Sequence, residues 1–322
     1  MERFEGRIAV VTGGGTGMGR ELVRQLAAEG CHVATCDVSA QSMAETKAMA
    51  LEGAPSGTRV STFVADVSDE PQVVAFREDV KTELETAHVN LLFNNAGIGG
   101  GGSIVADERA EWEKTFGVDW GGVYLCTRAF LPMLLAAEEG HVVNTSSLNG
   151  LWASVGPTMP HTAYSAAKFA VRGFTEALIT DFRVNAPHLR ASVVMPGHIG
   201  TSIIINTGKI LGREPESMSS EELDKVRHQL AGRGIALDAV SDEDLRKGIE
   251  MIGETFRDAA PTTAAQAATT ILDGVRSDRW RIVVGADAQI IDGEVRADPE
   301  HAYDPEFWNA LRAKGVFGVF GQ

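Results

Sequence analysis

The chain has 322 residues, 44% hydrophobic and 23% charged, so we expect a large packed core and not a disordered chain. Asp and Glu outnumber Lys and Arg by 44 to 29, which makes nucleic acid and anionic membranes poor candidate partners. The cysteines lack paired spacing, the N-terminus lacks a signal-peptide pattern and no stretch is apolar enough to span a membrane, so we expect a cytoplasmic protein with no metal site.

The first 200 residues alternate short apolar segments with longer helical patterns. Strands are predicted at 8–12, 32–37, 60–65, 89–94, 141–146 and 190–195, and helices at 18–29, 42–51, 70–85, 108–137 and 163–184. The strand segments are almost wholly apolar, as expected where helices cover both faces of a sheet. The pattern predicts the α/β class, with a doubly wound parallel sheet of the Rossmann type.

The pattern changes after Thr201 and becomes polar and charge-rich, with helices predicted at 216–230 and 241–258. A further helix at 262–275 and a strand at 281–285 then continue the first pattern. We interpret 1–322 as a single dinucleotide-binding catalytic domain, with a substrate lid at 203–260 and a C-terminal extension at 287–322 that packs across a neighbouring surface. The apolar side chains of the lid either line a pocket for a bulky substrate or pack the lid onto the body; they are Met218, Leu223, Leu230, Leu245 and Met251.

A glycine-rich turn joins the first predicted strand to the first predicted helix. Its glycines, Gly13, Gly17 and Gly19, permit positive φ and close approach of the backbone to a diphosphate at the helix N-terminus. The alternative is a flexible loop without a ligand. We predict a dinucleotide site whose first contacts are Gly13, Gly15, Thr16, Gly17, Met18 and Gly19.

The second predicted strand ends at Asp37, where such folds meet the adenosine ribose. A carboxylate accepts hydrogen bonds from a free 2′-hydroxyl and repels a 2′-phosphate. No Arg or Lys stands at Thr16, Val38 or Ser39, so NAD is favoured over NADP. The alternative role for Asp37 is a helix cap.

Tyr164 and Lys168 are four residues apart on a predicted helix and therefore share one face. A phenol is a poor base at neutral pH, but a neighbouring ammonium favours the phenolate. The pair predicts acid–base catalysis, although a pair of this spacing also occurs by chance on surfaces.

The glycine turn, the run Asn94, Asn95, Ala96 and Gly97, and the Tyr164–Lys168 pair together resemble the short-chain dehydrogenase/reductase family. The similarity runs from Arg7 to Thr201 and again through Gly285. It implies that Asp66 and Val67 contact adenine, and that Asn95, Ala96 and Gly97 lie beside the cofactor. The alternative for these polar residues is ordinary turn chemistry.

The resemblance also implies that Tyr164 and Lys168 contact the cofactor, Lys168 at the nicotinamide ribose, and that Ser147 binds the substrate oxygen, with Ser146 as the fallback. The gap from Ser147 to Tyr164 is longer than usual in the family, and we expect the extra residues within 152–161 to form a loop over the substrate. Asp119 stands where the family commonly has a catalytic asparagine. It either holds a water or is a helix-interior acid bound to backbone.

A turn after the sixth predicted strand resembles the family segment that receives the nicotinamide, and its residues are Pro196, Gly197, Ile199 and Thr201. His161 and His198 lie near these motifs. Each is either a substrate contact or a polar bystander.

These observations predict an NAD-dependent oxidoreductase that transfers a hydride between NAD(H) and a secondary alcohol or ketone, with a bulky, steroid- or terpenoid-like compound as a candidate substrate. The alternatives are a non-catalytic NAD-binding regulator, an NADP-dependent carbonyl reductase, and a sugar-nucleotide epimerase or dehydratase. The resemblance implies a homodimer or homotetramer formed through the helices at 108–137 and 163–184.

Overall fold

The computed structural model describes residues 1–231, 237 and 239–316. The strands are β1 Ile8–Thr12, β2 His32–Asp37, β3 Val60–Val64, β4 Leu91–Asn94, β5 Gly140–Thr145, β6 Leu189–Pro196, β7 Ile199–Gly200, β8 Thr262–Thr263 and β9 Arg281–Val284. Seven of them form one parallel sheet in the order β3-β2-β1-β4-β5-β6-β9, and β7 pairs with β8. The predicted Rossmann-type sheet is confirmed.

The helices are α1 Gly17–Ala28, α2 Ala40–Glu52, α3 Glu70–Glu83, α4 Arg109–Phe116, α5 Gly122–Leu135, α6 Thr162–Asn185, α7 Ile203–Ile210, α8 Ser220–Ala231, α9 Asp242–Asp258, α10 Ala264–Arg276, α11 Ala286–Ala297 and α12 Pro305–Ala313. The one long helix predicted at 108–137 is interrupted, because a π-helical turn, Gly117–Gly121, joins α4 to α5. This turn carries Asp119 into the protein interior.

The apolar strands form the core because each one faces helices on both sides. Along β1, Ile8 and Val10 belong to one buried cluster, whereas Ala9 and Val11 belong to the other. Successive side chains of a strand point to opposite faces, so one apolar run supplies both layers.

The strand order reverses between β1 and β4. β1 pairs with β2 on one side and with β4 on the other, so the connections at their carboxyl ends diverge. Ligands of open parallel sheets bind in the crevice that forms at this point.

The lid has a small core of its own. Met218, Leu223 and Leu245 are buried against one another, while Met251 is 63% exposed. Met218, Leu223 and Leu245 therefore pack against one another, as one of the two alternatives for these side chains expected, whereas Met251 stays exposed. Residues 232–236 and 238 of the predicted lid lie outside the described residues, and the assignment of a single domain with a lid stays a prediction.

The C-terminal extension packs on the loop that follows β5. The Trp152 indole donates to the carbonyl of Ala302 at 2.7 Å, and the Ala153 amide donates to the Tyr303 hydroxyl at 3.1 Å. The Trp308 ring stacks on Trp152 with 6.0 Å between centroids. The described part of the extension thus packs on the start of the loop between Ser147 and Tyr164. Residues 317–322 lie outside the described residues.

None of the helices in the described part of the chain combines the length and the apolar character needed to cross a bilayer. Across the same residues, no three His, Cys, Asp or Glu side chains are grouped so that they could hold a metal. Cys31, Cys36 and Cys126 are all buried and unpaired.

Candidate active site

A cleft opens at the carboxyl ends of β1, β2 and β4, beneath α7. Eleven of the predicted cofactor residues line it: Gly13, Thr16, Gly17, Met18, Asp37, Asp66, Val67, Asn95, Ala96, Gly97 and Thr201. Seven others lie outside its wall: Gly15, Gly19, Tyr164, Lys168, Pro196, Gly197 and Ile199. The cleft therefore corresponds to the predicted site for the adenosine and diphosphate. Tyr164 and Lys168, called here the proton-transfer pair, lie outside the cleft, next to its Gly97 end.

The turn between β1 and α1 needs its glycines. Gly17 has φ +55°, and a Cβ there would lie 3.0 Å from the methyl of Thr201. A Cβ on Gly19 would lie 2.0 Å from the carbonyl oxygen of Gly13. The first turn of α1 carries no acidic side chain, so its N–H groups and positive dipole end remain available to an anion.

Thr12 and Asn95 fix this turn against the end of β4. The Thr12 hydroxyl accepts from the backbone amides of Asn95 and Ala96 at 3.0 and 3.1 Å. The Asn95 side-chain amide donates to the carbonyls of Thr12 and Gly13. The sequence argument did not include Thr12, although a hydroxyl ending a buried apolar strand was a usable signal.

Asp37 lines the end of the cleft where the adenosine ribose is predicted to bind. Its carboxylate accepts from the backbone amides of Gly15 at 3.0 Å and Ser39 at 3.1 Å. Arg20 of α1 lies near Asp37, which the sequence analysis did not predict. Its guanidinium donates to the Gly15 carbonyl and pairs with Glu45, and Arg20 does not line the cleft.

Asp66 is held by a lysine that the sequence argument missed. Lys114 of α4 donates to one carboxylate oxygen at 2.5 Å, and Ser68 donates to the other through its amide and its hydroxyl. Burial favours the neutral acid, but these hydrogen bonds outweigh it and hold the pKa of Asp66 below its ordinary value. The part of the cleft where adenine is predicted to bind thus contains the Asp66–Lys114 ion pair.

Ser147, Tyr164 and Lys168 come together at the junction of β5 and α6. The Lys168 ammonium lies 5.2 Å from the centroid of the Tyr164 ring, and the Ser147 hydroxyl is near enough to the Tyr164 phenol to lower its pKa. Burial raises the pKa of Tyr164 above its ordinary value, and the nearby ammonium acts in the opposite direction. The three side chains can therefore hold and pass a proton at one point.

Ser146 does not share this position. Its hydroxyl donates to the backbone carbonyl of Lys168 at 2.7 Å, which ties β5 to α6. The geometry therefore favours Ser147 over the fallback for contact with a substrate oxygen.

Asp119 is fully buried and binds Lys168. One of its carboxylate oxygens lies 3.1 Å from the Lys168 ammonium and accepts from the Ile98 amide at 3.1 Å. The other carboxylate oxygen has no hydrogen-bond partner among the described residues. Burial raises the pKa of Asp119 to about 6, against the effect of Lys168. A Cβ on Gly97 would lie 2.5 Å from this carboxylate, so only glycine fits there.

The two candidate histidines differ in position. The His161 ring lies 4.7 Å from the Tyr164 ring, centroid to centroid, and burial lowers the pKa of His161 to about 4, so it is neutral at pH 7. His198 instead bonds the carbonyl of Phe256 in α9 through its ring, at 2.7 Å. His161 is thus the histidine beside the proton-transfer pair.

The turn after β6 is held by strand and helix partners. The Gly197 amide donates to the Val284 carbonyl at 2.9 Å, and the His198 amide donates to the Asp287 carboxylate at 2.6 Å. Asp287, at the start of α11, was not predicted, because no local motif links it to a turn so distant in the sequence.

A Rossmann-type fold whose cleft adjoins a cluster of Ser147, Tyr164 and Lys168 is typical of an oxidoreductase of the short-chain type. The family model described as short chain dehydrogenase matches residues 7–209. SadH of Mycobacterium tuberculosis is 33% identical over 292 residues, which cover 91% of each chain. A levodione reductase of Leifsonia aquatica is 35% identical over 225 residues, 70% of this chain and 81% of that one.

Two solved structures that are similar to this chain contain a bound dinucleotide. A short-chain dehydrogenase/reductase from Burkholderia phymatum in complex with NAD superposes with a TM-score of 0.74 at 27% identity, covering 95% of this chain and 98% of that one. A metagenomic short-chain oxidoreductase in complex with NADP gives a TM-score of 0.53 at 29% identity, over 60% and 83% of the two chains. The chain belongs to the short-chain dehydrogenase/reductase family, and it is an NAD(P)-dependent oxidoreductase.

Proposed function

We propose that this protein transfers a hydride between NAD(H) and a secondary alcohol or ketone, with Tyr164 as its acid and base. The observation that carries the proposal is the position of the buried Lys168 ammonium, 5.2 Å from the centroid of the Tyr164 ring, with the Ser147 hydroxyl near enough to the phenol to lower its pKa. A proton donor and a second hydroxyl at one point suit a carbonyl oxygen that gains negative charge during reduction.

The residues of the cleft fit a dinucleotide. The glycine turn and the start of α1 would hold the diphosphate, Asp37 the adenosine ribose, and Thr201 with the turn after β6 the nicotinamide. The bound cofactor supplies or takes up the hydride. Asp37 favours NAD over NADP, because its carboxylate would repel a 2′-phosphate and Arg20 is already engaged by other partners.

In alcohol oxidation the Tyr164 phenolate takes the hydroxyl proton, and in ketone reduction the phenol returns it. Ser147 orients the substrate oxygen by hydrogen bonding. Lys168 stabilises the phenolate by its charge and would also contact the nicotinamide ribose. Asp119 fixes Lys168 through the 3.1 Å ion pair, so its role is one of positioning.

The substrate we propose is bulky and apolar. The loop between Ser147 and Tyr164 presents Met159, which is 46% exposed, close to His161. Similarity to a levodione reductase favours a carbonyl compound. We also propose a homodimer or homotetramer formed through α5 and α6, whose exposed faces include Tyr124 and Phe169.

The test is a spectrophotometric screen of secondary alcohols and ketones with NAD(H) and NADP(H), comparing the wild-type protein with Tyr164→Phe. We expect turnover with NAD(H), and loss of about 10²- to 10⁴-fold in kcat in the variant because its ring cannot exchange a proton. The dissociation constant for NADH, measured by fluorescence, should change little.

Tyr124→Phe is the matched control, because it removes a phenol hydroxyl on α5 outside the Ser147, Tyr164 and Lys168 cluster and keeps the ring that the proposed subunit interface would contact. Robust turnover by Tyr164→Phe would contradict the role of the phenol. A marked preference for NADP would contradict the role given to Asp37.

A further inference from the structure

Helix α7 crosses the mouth of the cleft and is tied to both of its walls. The Asn206 amide donates to the Thr16 hydroxyl of the glycine turn at 3.0 Å. The Thr207 hydroxyl accepts from the Gly99 amide, in the loop after β4, at 2.7 Å. These two bonds fix which face of α7 points into the cleft.

Lys209 lies on that face. It follows Asn206 by three residues, a spacing that brings side chains to one side of a helix. Ile203, three residues before Asn206, belongs to the same stripe, and all three line the cleft. The Lys209 side chain is exposed, so its ammonium can reach a ligand without being desolvated first.

The charges of the cleft leave Lys209 available. The ionic side chains in its wall are Asp37, Asp66, Lys114 and Lys209. Lys114 pairs with Asp66, and Asp37 is held by backbone amides. No carboxylate among the described residues lies within 4.0 Å of the Lys209 ammonium. The wall opposite the glycine turn therefore presents one unpaired cation.

We propose that Lys209 binds the diphosphate of the dinucleotide from the side opposite the glycine turn. The turn offers neutral N–H groups and a helix dipole, which compensate only part of the charge of a diphosphate. The chain as a whole has a formal charge of −15, so a local cation would favour an anionic ligand against the mean field of the protein. This inference rests on the dinucleotide cleft of the proposed function and adds a contact from α7.

The test measures binding without turnover, by titration calorimetry with ADP-ribose, which contains the diphosphate and lacks the nicotinamide. We expect Lys209→Ala to weaken ADP-ribose about tenfold, equivalent to about 1.4 kcal/mol. Adenosine, which has no phosphate, should bind both proteins equally. Lys209→Arg should retain most of the affinity, because the charge is kept.

Lys225→Ala removes an exposed lysine of α8 and is the matched control. Unchanged ADP-ribose binding by Lys209→Ala would overturn the inference and leave the proposed function standing. The inference would also be overturned if Lys209→Ala weakened the binding of adenosine as much as that of ADP-ribose. The same holds if the variant weakened only the binding of ADP-ribose that carries a 2′-phosphate. Failure of the wild-type protein to bind ADP-ribose would overturn both the inference and the cofactor cleft.

Discussion

At the residue scale, the feature that sets this site apart is a carboxylate where the family commonly has an asparagine. Asp119 and Lys168 form an ion pair that is almost completely buried, with 0% and 4% of their side chains exposed. The pair orients the ammonium, but the carboxylate also places a negative charge near the phenol. Burial is the largest cause that raises the pKa of Tyr164. The Lys168 ammonium lowers this pKa, and the Asp119 carboxylate raises it.

We predict that Asp119→Asn moves the rise of kcat for alcohol oxidation to lower pH, by about one unit. Oxidation needs the phenolate, so its rate increases as pH rises through the pKa of Tyr164. Removing the carboxylate lowers this pKa and shifts the rise accordingly. The measurement is a pH profile of kcat at saturating NAD and alcohol.

Asp79→Asn, on the exposed face of α3, is the control for loss of a carboxylate. A profile unchanged in Asp119→Asn, or one moved to higher pH, would show that Asp119 does not influence the phenol.

Local motifs located most of the side chains of the candidate site, because glycines, Asp37 and the Tyr164–Lys168 pair each carry their own spacing signal. The partners of these residues were harder to predict. Lys114 and Asp287 reach the site across long stretches of chain, and only the tertiary structure brings them there.

At the element scale, the sheet was predictable and several helices were not. Continuous apolar runs marked the seven strands of the main sheet to within two residues at their ends, whereas the short strands β7 and β8 were not predicted. α7 was missed because three consecutive isoleucines, Ile203 to Ile205, hide helical periodicity. α11 was missed because no helix was predicted in the C-terminal extension, although a helix of twelve residues follows Gly285.

The loop between Ser147 and Tyr164 depends on the C-terminal helices for its position. We predict that Trp152→Phe lowers kcat/KM for the ketone about tenfold, because the buried carbonyl of Ala302 loses its donor at a cost of about 1–3 kcal/mol. The affinity for NADH should be unchanged, since this loop does not line the cofactor cleft. Steady-state kinetics and a fluorescence titration of NADH separate the two effects.

Trp280→Phe, at a tryptophan that is 45% exposed, controls for the change of ring. Equal losses in substrate and NADH affinity in Trp152→Phe would indicate a general loss of structure and contradict a specific role for the loop.

At the scale of the whole molecule, folding removes a histidine from water in the centre of the sheet. His141 of β5 is 2% exposed, its ring nitrogen lies 2.7 Å from the Ser192 hydroxyl, and burial lowers its pKa to about 4. The unfolded chain, with an ordinary histidine pKa, binds more protons between about pH 4 and 6.5. Stability must therefore fall as the pH is lowered through this window.

We predict that the free energy of unfolding falls by about 2 kcal/mol from pH 7 to pH 5 because of His141 alone. His141→Gln keeps a polar side chain near Ser192 and should remove most of this loss. Urea unfolding at the two pH values measures it. His88→Gln, in an exposed loop, is the control, and an unchanged pH dependence in His141→Gln would contradict the assignment.

The burial of Trp152 beneath α12 has a consequence for engineering. Grafting only residues 151–161 from a relative would leave the Trp308 and Phe307 rings facing foreign side chains. Chimeras should therefore exchange residues 151–161 and the C-terminal extension together. Only then would the exchanged segment keep the ring contacts that hold it in place and could confer a new substrate range.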